Sequence, residues 1–296
     1  MSRWPNSLMN KWTDSRQTTI KAALEAGSMK LQPMENTRLD AELILSHVLN
    51  ISRSLLYASL EEKLLAAEEE LFDHLIEKRL AGIPVAYLTG SASFWSQDFK
   101  VCEGVLIPRP ETELLVERCL GIIGECDQRI VADLGTGSGA IAGAISSEFP
   151  NARIIAVDNS ETAIQIAREN FKNLKMKNVD CIVSDWNSAL ARSSLSMIVS
   201  NPPYVSRNEI NLIDREILAE PVRSIFAEEN GLSDLKRIIS TSGIYLKPDG
   251  HLLVEHGFLQ GERVRSLFND AGFRSVQTFK DLNKNERVTQ GQKRTH

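Results

Sequence analysis

The chain has 296 residues, of which 42% are hydrophobic and 25% are charged, a composition ordinary for one large domain and one smaller domain. No stretch approaches the roughly 18 to 20 consecutive apolar residues that a membrane span needs, so we expect no membrane partner and a cytoplasmic location. A net charge of -5 gives no general attraction to nucleic acid, although a local basic face could lie within an acidic total.

Residues 17–82 have the apolar periodicity of helices. The stretch Thr37-Arg38-Leu39-Asp40 resembles a capping box, and apolar residues recur at close to helical spacing after it and again through 61–80. No strand is evident there. We therefore predict an N-terminal helical domain over residues 1–82, which either docks a partner and orients a substrate or serves as a structural cap.

The character of the sequence changes over residues 83–110. Glycines and prolines separate short segments that resemble a β-hairpin, and we interpret this region as a connector. Pro110 then suits the first turn of a helix, and the acidic residues Glu111 and Glu113 favour the positive end of its dipole. The larger domain is predicted to cover residues 111–296.

Apolar runs alternate with helical stretches after Gln128, which is typical of a mostly parallel sheet with helices on both faces. The predicted strands are 130–134, 154–157, 181–183, 197–199 and 251–254. Polar, glycine or aromatic residues follow four of them, and ligands of such sheets bind at the carboxyl ends of the strands. We therefore expect four strand ends to share one crevice.

A glycine loop, Gly135-Thr136-Gly137-Ser138-Gly139, stands between the first of these strands and a helix. Its glycines permit tight turning and close approach of the backbone to a ligand. The relaxed G-x-G-x-x-A pattern ending at Ala140 is also satisfied, so a dinucleotide such as NAD stays an alternative at this point.

Two further strand ends carry residues suited to a nucleoside. Asp158 follows the loop by about 20 residues, where a carboxylate can accept the hydroxyls of a ribose. Asp185 and Trp186 offer an acceptor for the exocyclic amine of adenine and a surface for stacking, unless Trp186 is merely a core residue beside a surface turn. Asp133 could face the cofactor or cap the glycine turn.

The stretch Asn201-Pro202-Pro203-Tyr204 follows the fourth strand, and its two prolines stiffen the backbone. A planar amide or amine nitrogen is a poor nucleophile until acceptors bind its N–H groups and localise its lone pair. The Asn201 side-chain oxygen and the Pro202 carbonyl are candidate acceptors, and the ring of Tyr204 could lie against the planar group. These residues are the predicted reaction centre, and the alternative is a rigid loop with a packed tyrosine.

The stretch 106–113 could form a lid or orient the substrate through Arg109, or it could be a helix start with solvated charges. Cysteines and histidines have no spacing typical of a metal site, a disulfide framework or a catalytic triad. We therefore predict no metal site. The cysteines are expected to be small buried core residues and the histidines to be structural or exposed; they are Cys102, Cys119, Cys126, Cys181, His47, His74, His251, His256 and His296.

With these motifs in this order, the chain resembles the release factor glutamine methyltransferases. The resemblance covers nearly the whole chain from the helical region onward, and its motifs include the 107–113 stretch, D-L-G-T-G-S-G, S-N-P-P-Y, Glu220-Pro221 and the segment 285–289. Two parts depart from it: residues 227–232 lack the paired glycines expected before Gly231-Leu232, and the first sixteen residues have no counterpart.

The resemblance implies a Rossmann-like class I methyltransferase fold with a mostly parallel seven-stranded sheet behind the small helical domain. It implies S-adenosylmethionine as cofactor, held by 135–139, Asp158, Trp186 and Asn201, and a substrate held by Asn201–Tyr204. The implied substrate is the glutamine amide of the Gly-Gly-Gln motif in class 1 release factors, whose methylation modulates translation termination. The helical domain is then expected to help hold the release factor. We also expect a monomer.

Two other functions remain open at this point. An adenine N6 methyltransferase of DNA or RNA would also hold a planar nitrogen, but the acidic and dispersed charge disfavours it. A cofactor-binding module without catalysis is the second alternative, and the intact Asn201 disfavours that one.

Overall fold

The computed structural model describes residues 18–32, 34–123, 129–212 and 216–295. The chain divides between Thr89 and Gly90 into two compact units. The domain limits predicted at residues 82 and 110 stay predictions. Among the described residues, no helix is both long and apolar enough to cross a membrane.

The first unit is helical. Its helices are α1 (Ile20–Lys30), α2 (Thr37–Leu49), α3 (Arg53–Ala58), α4 (Ala66–Leu80) and α5 (Val85–Thr89). The buried side chains of α1, α2, α3 and α4 form one apolar cluster that includes Leu24, Ile44, Leu56 and Ile76. Each fully buried side chain of this kind stabilises the fold by about 1.5–3 kcal/mol.

The capping box predicted at residues 37–40 is wrong. Helix α2 begins after Asn36, which is left-handed with a φ of 57° and makes no capping hydrogen bond through its side chain. The Asp40 carboxylate instead accepts a hydrogen bond from Arg79 Nε at 2.7 Å, and both side chains are buried. A long-range ion pair therefore takes the place of the expected local cap.

The second unit opens with an antiparallel hairpin of β1 (Ser91–Phe94) and β2 (Gln97–Lys100), as the glycine and proline pattern indicates. The further strands are β3 (Ile130–Leu134), β4 (Arg153–Asp158), β5 (Val179–Val183), β6 (Leu195–Ser200), β7 (Val205–Ser206), β8 (Phe226–Ala227), β9 (Leu246–Glu255), β10 (Arg274–Lys280) and β11 (Glu286–Gln292). The helices are α6 (Glu113–Ile123), α7 (Ala140–Glu148), α8 (Glu161–Asn173), α9 (Val222–Ile225), α10 (Glu228–Gly231), α11 (Ser233–Tyr245) and α12 (Gly261–Asp270).

In the described part of this unit, seven strands form one sheet in the order β10-β11-β9-β6-β3-β4-β5. Neighbouring strands from β9 to β5 pair in parallel, whereas β11 is antiparallel to both of its neighbours. The predicted mostly parallel, seven-stranded sheet is therefore confirmed.

Apolar residues cover both faces of the sheet, because the side chains of a strand point alternately to either side. Val131 packs in one cluster with α6, α7 and α8, and its neighbour Ala132 packs in the other with α11 and α12. Burial on both sides explains the continuous apolar runs of β3, β6 and β9. The carboxyl ends of the parallel strands are left to carry polar residues.

The described cysteines are free thiols, and their burial differs. Cys119 is buried, whereas Cys102 and Cys181 are half-buried, and Cys126 lies outside the described residues. His256 is buried between the carbonyl of Gly257 and the hydroxyl of Thr289, and His296 lies outside the description. No group of three or more metal-ligating side chains occurs in the described residues.

Candidate active site

The glycine loop connects β3 to α7 by a tight turn in which Gly135, Gly137 and Gly139 all have positive φ. The backbone N–H groups of Gly135 and Thr136 both donate to the Val157 carbonyl, at 2.8 and 2.9 Å, which fixes the turn against β4. A Cβ on Gly139 would lie 2.6 Å from the Phe171 ring. Glycine is therefore required here by both conformation and space.

Asp133 supports the turn from below and is completely buried. Its Oδ2 accepts hydrogen bonds from the Thr136 hydroxyl at 2.6 Å and from the Ala142 N–H at 3.2 Å, while Oδ1 has no hydrogen-bond partner among the residues that the structure describes. Burial raises the pKa of this carboxyl to about 7, against the opposing effect of these two hydrogen bonds. Of the two roles left open for Asp133, the structure places it as the cap of the glycine turn.

Asp158 lies at the end of β4 with its carboxylate beside the same turn. One oxygen accepts from the Gly137 N–H and the other from the Ser160 N–H, both at 2.9 Å. Burial raises the pKa of Asp158, and these backbone hydrogen bonds oppose the rise. Each carboxylate oxygen can accept a second hydrogen bond, so the group is oriented and still able to bind a ligand hydroxyl.

Trp186 follows β5 and lines the crevice with its indole ring. A Cβ on Gly135 would lie 3.3 Å from this ring, so the indole lies directly over the glycine backbone. Trp186 has a φ of 47°, a rare conformation for a bulky residue that is common at functional positions. Its indole N–H hydrogen-bonds Asp234, where burial raises the pKa of the carboxyl and this bond opposes the rise.

Asp185 lies beside Trp186 but has a partner that the sequence did not indicate. Its two oxygens accept from Arg237 on α11 at 3.0 and 2.5 Å, a bidentate pair whose side chains are about half exposed. Such an exposed pair contributes at most about 1 kcal/mol to stability. Both residues of this pair line the crevice, so Asp185 still faces it.

These strand ends surround one cavity of about 580 Å³, within the range typical of small-molecule sites. It brings together most of the predicted site residues, and residues of the segments 104–112 and 221–226 also line it. The lining residues that the sequence predicted are Gly135, Thr136, Gly137, Ser138, Asp158, Asp185, Trp186, Asn201, Pro203 and Arg109. Gly139, Pro202 and Tyr204 do not line it.

Asn201 enters this cavity from the end of β6. Its Nδ2 donates to the Thr112 hydroxyl at 3.0 Å, across 89 positions of sequence. Pro202 is buried, whereas Pro203 faces the cavity. The stiff Pro202-Pro203 dipeptide thus leads the chain away from the sheet, while Thr112 of the 106–113 stretch holds the Asn201 amide.

Tyr204 is anchored at both its ring and its backbone. The hydroxyl donates to Glu255 Oε1 at 3.1 Å, and burial raises the pKa of the phenol well above its usual range. The carbonyl accepts from Gln260 Nε2 at 2.8 Å, and a Cβ on Gly231 would lie only 2.1 Å from that oxygen. Where paired glycines were expected, Glu229 and Asn230 are left-handed, so the tight turn forms without them.

Arg109 faces the cavity and forms an ion pair with Glu220, which is buried. The other oxygen of Glu220 accepts from the Ile107 N–H at 2.9 Å, so one carboxylate holds the whole 107–109 stretch. Burial raises the pKa of Glu220, and the charge of Arg109 opposes the rise. The 106–113 stretch is therefore fixed as part of the cavity wall.

Several residues of this site were not predicted as site residues, because their partners lie far away in sequence. Thr112, Glu220, Arg237 and Glu255 each contact a predicted residue across more than 50 positions. The local hints were the 107–113 stretch, which contains Thr112, and the Glu220-Pro221 dipeptide, both of them motifs of the family resemblance. A buried carboxylate at the end of a strand or loop indicates a site residue, but a single sequence does not reveal which carboxylates are buried.

Comparisons with known proteins identify the family of the chain. A family model described as the PrmC N-terminal domain matches residues 22–90, and one described as the methyltransferase small domain matches residues 110–284. A methyltransferase structure from Pyrococcus furiosus superimposes with a TM-score of 0.52 at 13% identity, covering 74% of this chain and 98% of that one. This likeness concerns the fold alone.

Two curated relatives carry the same name. The release factor glutamine methyltransferase of Escherichia coli is 43% identical over 262 residues, which cover 88% of this chain and 94% of the relative. That of Buchnera aphidicola is 40% identical over 274 residues, covering 93% and 98%. At this identity and coverage, the chain belongs to the release factor glutamine methyltransferase family.

Proposed function

We propose that this protein transfers a methyl group from S-adenosylmethionine to the side-chain amide nitrogen (N5) of the glutamine in the Gly-Gly-Gln motif of class 1 release factors. The observation that carries the proposal is that the glycine loop with Asp158 and the Asn201 amide face one and the same cavity. A nucleoside cofactor and a planar nitrogen can therefore meet there.

Three features fit S-adenosylmethionine. The glycine turn leaves room for close approach of a ligand, since a Cβ on Gly137 would meet nothing within 4 Å. Asp158 keeps acceptor capacity for the ribose hydroxyls, and the Trp186 ring offers a stacking surface for adenine. Asp185, while paired with Arg237, would accept a hydrogen bond from the exocyclic amine of adenine.

S-adenosylmethionine supplies an electrophilic methyl group on a sulfonium centre. The lone pair of a glutamine amide is delocalised into its carbonyl, so the residues here must localise it. The Asn201 Oδ1 and the Pro202 carbonyl are the proposed acceptors for the two N–H groups, and the Tyr204 ring is the proposed flat wall. Of these three residues, Asn201 alone lines the cavity in the free protein, so contact with Pro202 and Tyr204 requires the bound substrate to reach beyond that lining. With S-adenosylmethionine bound, the methyl group would pass from sulfur to this nitrogen with S-adenosylhomocysteine as the leaving group, and the proton of the nitrogen would then leave to water.

The substrate assignment has support from names and from charge. The relatives at 40% and 43% identity are named for release factors, and the net charge of -5 disfavours a nucleic-acid substrate. The first unit, with the helical apolar cluster around Leu24 and Ile44, is the proposed holder of the release factor. We further propose a cytoplasmic monomer without nucleic-acid or membrane partners.

A transfer assay with methyl-labelled S-adenosylmethionine tests this function. Label is expected on purified class 1 release factor and not on the same factor with its Gly-Gly-Gln glutamine changed to alanine, nor on DNA or RNA. Label on DNA or RNA alone would contradict the substrate. Label on the glutamine-free factor would contradict the acceptor.

A pair of variants separates catalysis from cofactor sensing. Asn201→Ala is expected to retain binding of S-adenosylhomocysteine within about 10-fold and to lose transfer by at least about 100-fold, as when one positioned group at a reacting centre is removed. Asn269→Ala, which changes an exposed asparagine on α12, is the matched control and is expected to retain full transfer. Equal rates for the two variants would contradict the role of Asn201.

A further inference from the structure

A buried carboxyl lies behind the Asn201–Tyr204 segment. Glu255 ends strand β9, next to β6 in the sheet, and is 1% exposed. Its Oε1 accepts from the Tyr204 hydroxyl at 3.1 Å, while Oε2 makes no hydrogen bond within the described residues. Burial raises the pKa of Glu255 to about 7, and the hydroxyls of Thr112 and Tyr204, which both face the carboxyl, oppose the rise.

The Thr112 hydroxyl connects this carboxyl to Asn201. Asn201 Nδ2 donates to Thr112 Oγ1 at 3.0 Å. A hydroxyl has a single proton, and by accepting from Asn201 the Thr112 oxygen leaves that proton for another acceptor. The Glu255 carboxyl faces Thr112, and above about pH 7, where it is ionised, it can only accept, so it is the natural recipient of that proton.

The direction of these bonds decides which way the Asn201 amide points. The two ends of an asparagine amide have almost the same shape, so only the hydrogen-bond network distinguishes them. If Thr112 donated its proton to Asn201, the Asn201 oxygen would be consumed by that bond and Glu255 would lose a donor. With the proton directed to Glu255, the NH2 group of Asn201 faces Thr112 and Oδ1 is left for another partner.

We propose that Glu255 is a positioning residue that acts through Thr112 to orient the Asn201 amide with Oδ1 available to the substrate, and through the Tyr204 hydroxyl to hold the aromatic ring. Both ends of the Asn201–Tyr204 segment thus depend on one carboxyl. The use of the oriented oxygen as an acceptor for the glutamine N–H rests on the proposed function. The orientation itself is a property of the free protein.

Steady-state kinetics with four variants test the positioning role. Glu255→Gln replaces an acceptor by an amide that can donate to Thr112, and Thr112→Val removes the connecting hydroxyl. Both are expected to lower kcat by about 10- to 100-fold, as small misplacements of a reacting geometry do, with the affinity for S-adenosylhomocysteine unchanged within about two-fold. Thr112→Ser retains the hydroxyl and is expected to stay within about three-fold of the unaltered protein.

Ser146→Ala is the matched control, because it removes another buried hydroxyl. Ser146 lies on helix α7, and its hydroxyl donates to Asn178 Oδ1 at 2.6 Å. It is expected to leave kcat unchanged. Full activity of both Glu255→Gln and Thr112→Val would overturn the proposal. If Glu255→Gln did not fold, the contrast between Thr112→Val and Thr112→Ser would still decide it.

An NMR measurement on the free protein separates this proposal from the proposed function. In protein labelled with 15N-asparagine, the side-chain NH2 signals of Asn201 are assigned by their loss in Asn201→Ala. They are expected to shift in Thr112→Val and Glu255→Gln but not in Ser146→Ala, and unshifted signals would overturn the proposed orientation. An unaltered protein that failed to methylate release factor would refute the proposed function alone, whatever these signals do.

Discussion

Replacing Glu255 by glutamine is expected to stabilise the protein at alkaline pH while it impairs catalysis. Burial raises the pKa of the Glu255 carboxyl from 4.5 to about 7. Each pKa unit corresponds to about 1.4 kcal/mol, so ionising this group costs the folded state about 3 kcal/mol relative to the unfolded chain. Glutamine cannot ionise and avoids that cost.

The sign of the effect follows from proton binding. Between pH 4.5 and about 7 the folded protein retains a proton on Glu255 that the unfolded chain has lost, so this group lowers stability as the pH rises through that range. The difference in free energy of unfolding, Glu255→Gln minus the unaltered protein, should therefore grow by about 2–3 kcal/mol from pH 5 to pH 8. The raised pKa of Asp133 affects both proteins equally and cancels.

Urea unfolding at pH 5, 6, 7 and 8, followed by tryptophan fluorescence, measures this difference. Glu25→Gln, which removes an exposed carboxyl from helix α1, is the matched control and should give a difference that stays constant across the range. A flat or falling difference for Glu255→Gln would refute the reasoning. A rising difference together with a reduced kcat would mean that the buried carboxyl is retained for function at the expense of stability.

Three further changes, one of them with a matched control, address the cofactor side. Gly139→Ala is expected to lower the free energy of unfolding by about 2–5 kcal/mol, because its φ is 84° and the added atom would lie 2.6 Å from Phe171. Gly121→Ala, where a Cβ in helix α6 meets nothing within 4 Å, should instead raise it by up to about 1 kcal/mol, and equal effects in urea unfolding would contradict the argument. Trp186→Ala should weaken S-adenosylhomocysteine binding by about 10-fold through lost stacking. Asp158→Asn should weaken it by at least about 10-fold through loss of a charged acceptor, and an unchanged calorimetric affinity would refute either role.

The parts of the fold that were predictable from sequence are those with a local signal. Alternating apolar runs located β3, β4 and β6, and the run 135–139 could be recognised as a turn because glycine adopts the positive φ values found there at the least steric cost. Burial on both faces of the sheet gave these strands their continuous apolar character. The position of Asp158 at a strand end followed from the same pattern.

Contacts between distant segments could not be predicted in this way. Asp185 pairs with Arg237 and Tyr204 with Glu255, each across more than 50 positions, and no periodicity encodes such partners. The same limitation affected Asp40, whose local sequence favoured a helix cap while burial with Arg79 prevailed. Tertiary packing overrides local preference wherever a charged group is buried, since such a group requires a partner.

The most direct test of the central claim is tandem mass spectrometry of a class 1 release factor after incubation with this protein and S-adenosylmethionine. A single added methyl group is expected on the side-chain nitrogen of the Gly-Gly-Gln glutamine, and it should be absent when Asn201→Ala replaces the unaltered protein. A methyl group on any other residue, or an unmodified release factor, would contradict the account.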